Sequence, residues 1–366
     1  MIKSIAELTK KELAGKKVLL RVDFNVPVAD KKISEFYRLD VAKETIDYLS
    51  SCGAIIALLS HITAINSFEP IFSEIKKRLG REMKFISDCA GPDVKDNLSR
   101  ADPGDIFLLQ NIRKYEGEEK NDEEFAKTIA KPFDIYVSDA FAASHRNHAS
   151  LVSITKFLPF YGGLLLMKEI ESLTKVIKMP SEGKTMILGG TKIETKFPVI
   201  KNFIDKAENI LIGGAIANVF LKAKGIDIKK SLTDDNFLED ALDFLKKENI
   251  IIPDDYIISN DMILDIGERT IDRFTKTIDE SKMVIWNGPL GKTEVPEFAH
   301  SSKRVAQAIV DSRTFSIAGG GDTIAFLEKE GLIDKFNCVS TGGGAMLQFL
   351  SGKKLPGLIA LGYPDD

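Results

Sequence analysis

Short apolar runs rich in valine, isoleucine and leucine recur along the chain, at Lys17–Arg21, Ala54–Leu59, Ile106–Leu109, Ile135–Ser138, Thr185–Leu188, Asn209–Ile212, Met283–Trp286 and Phe315–Ala318. Their length and composition predict strands buried on both faces. Between them lie longer stretches with apolar residues at helical spacing and charges on the opposite face: Leu39–Ser50, Asp122–Ala130, Lys196–Lys206, Phe237–Lys247, Asp272–Glu280 and Glu297–Asp311. Strand and helix alternate, which predicts an α/β protein with parallel sheets flanked by helices.

Glycine punctuates the two halves differently. Gly189-Gly190, Gly213-Gly214, Gly288-Pro289, Gly319-Gly320-Gly321 and Gly342-Gly343-Gly344 each follow an apolar run, whereas the first half has no such series. The asymmetry predicts two sheets with different ligands, joined near Tyr161–Met179, where a Gly-Gly pair leads into the helical stretch Met167–Lys178. A chain of 366 residues also exceeds the size at which one core keeps growing. The expected division is an N-terminal domain over 1–160, a linking helix and hinge over 161–179, a C-terminal domain over 180–350 and a final segment over 351–366.

Composition narrows the classes. With 44% hydrophobic and 28% charged residues and a mean hydropathy of -0.05, the chain reads as an ordinary soluble protein, and no apolar run is long enough to span a bilayer. Met1–Lys10 lacks the apolar core of a signal peptide, so a cytoplasmic location is expected. Lys plus Arg total 50 against 54 Asp plus Glu, which excludes a general nucleic-acid footprint and makes any anion site local. Cys52, Cys89 and Cys338 are widely spaced and form no CxxC pair, so they are expected as free, buried thiols.

Against that acidic balance, positive groups gather at strand ends in the first half: Arg21, Arg38, His61, Arg113, His145, Arg146 and His148. Arg21, Asp23 and Asn25 follow at period two and can share one face; an Arg-Asp pair is also compatible with a structural salt bridge. The histidines lack the spacing and carboxylates of a metal site. Together with guanidinium groups they suit a small polyanion such as a phosphorylated carboxylic acid. In the second half, Gly319-Gly320-Gly321-Asp322-Thr323 combines close backbone approach, a carboxylate for Mg²⁺ and a hydroxyl expected to cap a helix beginning at Ile324; a plain glycine turn has the same letters. Gly189-Gly190 precedes Lys192 and Lys196, two amines four residues apart near an expected helix start. Neither GxxxxGK[ST] nor GxGxxG occurs, so the nucleotide site is of another kind and a dinucleotide-dependent oxidoreductase is disfavoured.

Ordered motifs now carry a resemblance. Arg21-Val22-Asp23-Phe24-Asn25-Val26-Pro27, Asp139-Ala140-Phe141 through His145-Arg146, Gly189-Gly190 with Lys192 and Lys196, Trp286-Asn287-Gly288-Pro289, Gly319–Thr323 and Ser340-Thr341-Gly342-Gly343-Gly344-Ala345 make the chain similar to the phosphoglycerate kinases from Lys17 to its C-terminal region. The resemblance implies two Rossmann-like domains joined by a hinge with a cleft between them. The first would hold the triose and the second MgATP or MgADP, with the last residues packing back on the first. The implied reaction is 1,3-bisphosphoglycerate + ADP ⇌ 3-phosphoglycerate + ATP, by in-line transfer with domain closure, in a monomer with no nucleic-acid or membrane partner. Position by position, Asp23, Asn25, Arg38, His61, Arg113 and Arg146 would hold the triose, and Arg21 and His145 are counted with them. Arg38, Lys192 and Lys196 would serve the phosphoryl group in flight. Gly213, Gly214, Asn287, Gly320, Gly321, Asp322 and Thr323 would meet the nucleotide with Lys192 and Lys196, Glu294 its ribose, and Asp322 the metal.

The chain departs from that pattern in Ser60-His61-Ile62-Thr63-Ala64-Ile65, where Ala64 occupies the place of an arginine for the substrate phosphate, and at Gln110, where a glutamate is usual. Lys114 is a candidate to compensate. A weakened paralogue that senses triose or nucleotide is the alternative this departure raises.

Overall fold

The computed structural model describes residues 2–364. The chain forms two compact units, one from residues up to Ile170 together with those from Lys354 onward, the other Glu171–Lys353. Each is built on a six-stranded sheet whose paired strands are all parallel. In the first the spatial order is Lys84–Ile86, Ile106–Leu109, Ile55–Leu59, Lys17–Arg21, Ile135–Ser138, Phe160–Gly162. In the second it is Ile250–Ile251, Asn209–Ile212, Lys184–Leu188, Met283–Asn287, Phe315–Gly319, Cys338–Ser340.

The expected strands are all present, and they are the four inner strands of each sheet. The outer strands, only two or three residues long, carry too few positions to show a period, and at Lys84 and Phe85 they are partly open to water. The inner strands read as continuous apolar runs because both faces are covered: every residue of Ile55–Leu59 and of Met283–Asn287 is buried. Helices supply the cover through one face. Tyr37–Ser51 buries Leu39, Ala42, Thr45, Ile46 and Leu49 at spacings of three and four, against Leu20, Ile56 and their neighbours in the first core.

Several helical expectations shift: that at Asp272–Glu280 is a helix over Glu268–Asp279, and that at Phe237–Lys247 one over Leu238–Phe244. The stretch expected at Lys196–Lys206 is a helix over Ile193–Phe203, so Lys196 falls in its first turn. The run expected at Glu297–Asp311 splits into a short 3-10 turn, Pro296–Phe298, and a helix, His300–Asp311. The helix Leu164–Lys178 starts in the first unit and continues past Ile170 into the second. Near the end of the chain, Gly357 N–H donates to the Ser144 carbonyl at 2.9 Å. Cys52, Cys89 and Cys338 are all buried. No helix among the described residues is long and apolar enough to cross a membrane.

Candidate functional site

Parallel sheets put their ligand-binding loops beyond the carboxyl ends of the strands, where neighbouring connections diverge. In the first unit those ends release Arg21–Asn25, Ser60–Ala64, Asn111–Lys114 and Asp139–His148. Arg38 enters from the first turn of its helix, and its Nη1 donates to Asp23 Oδ2 at 2.5 Å and to the Asn25 carbonyl at 3.2 Å. His61, 4% exposed, lies among Arg21, Arg113, Arg146 and Arg38; burial first, then these four charges, holds its imidazole well below the ordinary range. The Arg21 Nη2 is 3.2 Å from His61 Nδ1 and can only donate, so Nδ1 accepts and the neutral ring keeps its proton on Nε2.

Arg21 itself is 1% exposed. Its Nε donates to Ser150 Oγ at 3.0 Å and its Nη1 to the Val22 carbonyl at 2.5 Å, which leaves almost no surface for a ligand. Glu118, also buried, accepts from the Ser150 hydroxyl at 2.7 Å and from its N–H at 2.9 Å, and lies 3.6 Å from His148 Nδ1. Burial pushes this carboxyl up, but His148, Arg21 and Ser150 outweigh it and keep it below the usual range. Glu118 is the countercharge behind Arg21 and Ser150 bridges the two, a role no local pattern announced.

Arg113 is different. Among the described residues its Nε and Nη2 are buried without a hydrogen-bond partner and Glu119 at 3.4 Å is its ion pair, and burial together with Arg146 pulls its guanidinium down. His145 Nδ1 is likewise unpartnered, and Arg146 is exposed. Buried donors without acceptors, gathered beside other cations, define a place for an anion. Lys114 is exposed, and its charge acts on Asp88 and Cys89.

In the second unit the strand order reverses between Lys184–Leu188 and Met283–Asn287, and the glycine turns meet there. Gly288 adopts φ +93°, and a Cβ on it would collide with the Gly189 carbonyl oxygen; one on Gly214, φ +57°, would come to 2.5 Å from the Gly190 N. Beside these turns lies a cavity of about 230 Å³ lined by Gly190, Thr191, Gly214, Glu294 and Asp322 and by apolar groups including Ala217, Leu221, Leu232, Tyr256, Met262 and Leu290. Of the expected nucleotide residues, Gly214, Glu294 and Asp322 line it; Lys192, Lys196, Gly213, Asn287, Gly320, Gly321 and Thr323 lie in or beside the turns around it. Asn218, unmarked by any motif, also lines it: its Nδ2 donates to the Leu232 carbonyl at 2.9 Å, and its buried Oδ1 has no partner.

Lys192 is the N-cap of the helix Ile193–Phe203, and Lys196 points inward, 6% exposed. Burial, then the charge of Lys192, pulls the Lys196 ammonium to about 8 against the opposing pull of Asp322 and Glu194. Asn287 is buried beside Gly320 with its Nδ2 unpartnered. Thr323 corrects an expectation. It does not cap a helix at Ile324, because Gly320 and Gly321 let the helix start at Gly321; the Thr323 hydroxyl instead accepts from Gly288 N–H at 2.8 Å. Asp322 is exposed in that first turn, and no group of three or more His, Cys, Asp or Glu able to hold a metal occurs among the described residues. A lone carboxylate fits Mg²⁺ that arrives on substrate phosphates and keeps water as its other ligands.

A family model for phosphoglycerate kinase matches residues 8–353. The phosphoglycerate kinase of Dictyoglomus turgidum is 39% identical over 390 residues, 98% of each chain. Among solved structures, that of phosphoglycerate kinase from Coxiella burnetii superimposes with a TM-score of 0.84 at 32% identity over 99% of each chain. That from Pyrococcus horikoshii OT3 gives 0.90 at 31% identity, over 99% of this chain and 98% of the other. Two six-stranded parallel sheets, a cluster of unpartnered donors on one and a glycine-walled cavity on the other thus have a common explanation: the chain belongs to the phosphoglycerate kinase family.

Proposed function

We propose that the donor cluster of the first unit binds 3-phosphoglycerate or 1,3-bisphosphoglycerate and that the cavity of the second holds ATP or ADP with Mg²⁺. The chain is a glycolytic phosphotransferase that exchanges a phosphoryl group between these two substrates. The observation that carries the site assignment is Arg113, whose two buried nitrogens lack acceptors beside a neutral His61 with its Nε2–H free to donate. A ligand bearing a carboxylate and a phosphate satisfies them.

In this reading Arg38 is preset by Asp23 and the Asn25 carbonyl and holds the phosphoryl group in flight. Lys196 and Lys192 offset charge on the phosphate oxygens, and the Asn287 amide donates beside Gly320. Arg21 acts through His61 and touches no substrate. Bound Mg²⁺, held by Asp322 and the phosphates, supplies charge neutralisation. Neither acceptor, a carboxylate or a diphosphate, needs a proton removed, so positioning and charge stabilisation carry the rate. The hinge over 161–179 is part of the proposal and coincides with the helix Leu164–Lys178, which both units share. A monomer working in the cytoplasm completes it.

The test is ATP- and Mg²⁺-dependent phosphorylation of 3-phosphoglycerate, coupled to reduction of the 1,3-bisphosphoglycerate formed, over a wide triose range. Saturable turnover is expected. MgATP binding without turnover at any triose concentration would overturn it in favour of a sensor, which no observation favours.

A further inference from the structure

We propose that Thr63 is a positioning residue for the triose site, fixing the Asn25 carboxamide so that its amino group is the end left for the ligand. The inference rests on the triose reading given above. Asn25 Oδ1 lies 2.9 Å from Thr63 N and 2.9 Å from Thr63 Oγ1. A peptide N–H can only donate, so the atom facing it is the carbonyl oxygen and the flipped amide is excluded. The Asn25 backbone is held as well, with its N–H donating to Asp23 Oδ1 at 3.1 Å and its carbonyl accepting from Arg38 at 3.2 Å. What remains is Nδ2, two donors on a half-buried side chain.

The loop that carries Thr63 is itself held. Asn111, 3% exposed, donates through Nδ2 to the carbonyls of Ile62 at 2.8 Å and Ile65 at 3.2 Å, and its Oδ1 accepts from Ile62 N–H at 3.2 Å. The same Oδ1 accepts from Arg113 N–H at 3.2 Å. One buried carboxamide therefore fixes Thr63 on one side and Arg113 on the other. Asn25 Nδ2, Arg38, His61 Nε2–H and Arg113 then make a set composed of donors, matched to anionic oxygens. An Asn25 free to turn would offer its carbonyl oxygen to a carboxylate or phosphate and repel it.

Thr63→Val keeps the N–H and the shape and removes the hydroxyl. Losing one neutral hydrogen bond is expected to raise the triose KM about fivefold, with kcat and the MgATP KM unchanged. Thr63→Ser is expected to restore the native KM. In an Asn25→Ala background the Thr63→Val change is expected to add nothing, because its effect passes through the carboxamide. Asn25→Asp, which can only accept, is expected to bind triose about tenfold more weakly than Asn25→Ala. An unchanged triose KM in Thr63→Val, or a fivefold effect that persists without the Asn25 side chain, would overturn the proposal. Failure of the kinase reading is separate, since it would appear as absent turnover in the unmodified chain.

Discussion

Raising the pH above 8 titrates Lys196 in the free enzyme, and the structure sets where and how steeply. Its ammonium is pulled to about 8, first by burial beneath the Gly190 turn and then by Lys192, with Asp322 and Glu194 opposing. In the proposed nucleotide site only its protonated form would offset phosphate charge. Each pH step of one above that point leaves about a tenth of the previous protonated fraction, so kcat/KM for MgATP is expected to fall with unit slope, about tenfold between pH 8.5 and 9.5. The profile of kcat should bend later, because bound phosphates stabilise the ammonium. Initial rates of the coupled assay, with coupling enzyme in excess at every pH, give both profiles. Lys192→Gln removes a repelling neighbour and should move the bend to higher pH; Asp322→Asn should move it lower. Lys196→Arg, slower overall, stays charged throughout and should show no bend. A kcat/KM that is flat to pH 9.5 in the native enzyme, or a bend that survives in Lys196→Arg, would refute the assignment.

Three further outcomes follow from the first unit. Arg113→Met should raise the triose KM about 10- to 100-fold, the worth of charge-assisted hydrogen bonds, while urea melts show little loss of stability, because two of the replaced nitrogens make no hydrogen bond and the ion pair to Glu119 is partly exposed. Ala64→Arg, at an exposed position on the loop after His61, should lower the triose KM about tenfold in the same assay if that loop faces the substrate phosphate. Asp139, buried with Oδ2 unpartnered, has its carboxyl pushed up to about 6 by burial, although Thr45, Leu166 and Leu165 donate to it. The folded state therefore holds the proton more tightly than the unfolded one, and a stability penalty accumulates as pH rises from about 4 to about 6 and is complete above that. A displacement of that size is worth at most about 3 kcal/mol. Asp139→Asn should gain stability over the native chain between pH 4 and pH 7 by up to that amount; a constant difference in urea melts across the range would contradict it.

The inner strands were legible because burial on both faces leaves an unbroken apolar signature. Their edges were not: Lys84–Ile86 and Cys338–Ser340 have three residues each. The groups proposed to meet the ligand stood out in the sequence as charges gathered at strand ends of an acidic protein. Their supports were not, because they act across the chain. Ser150 reaches Arg21 over 129 positions, and Asn111 reaches Ile62 over 49. Arg21 shows how alternation misleads at a boundary. It is the last residue of a central strand, and its side chain stays in the interior while Asp23 and Asn25 follow in a loop. Thr323 misled for the opposite reason, since glycine let the helix begin two residues before it.

The crowding of Gly189, Gly190, Gly214 and Gly288 has a consequence for how this molecule can change. These turns come from three different strand ends; a Cβ on Gly189, Gly214 or Gly288 would overlap the backbone of another of them, and Gly190 is held at φ +79°. A single replacement there cannot be absorbed by its own loop, so the glycine wall is frozen against stepwise drift. The apolar lining at Leu221, Leu232 and Met262 has no such mutual exclusion, because flexible side chains can repack around a change. In the proposed nucleotide site, altered preference is therefore accessible by small successive substitutions in that lining, while the glycine wall stays as it is.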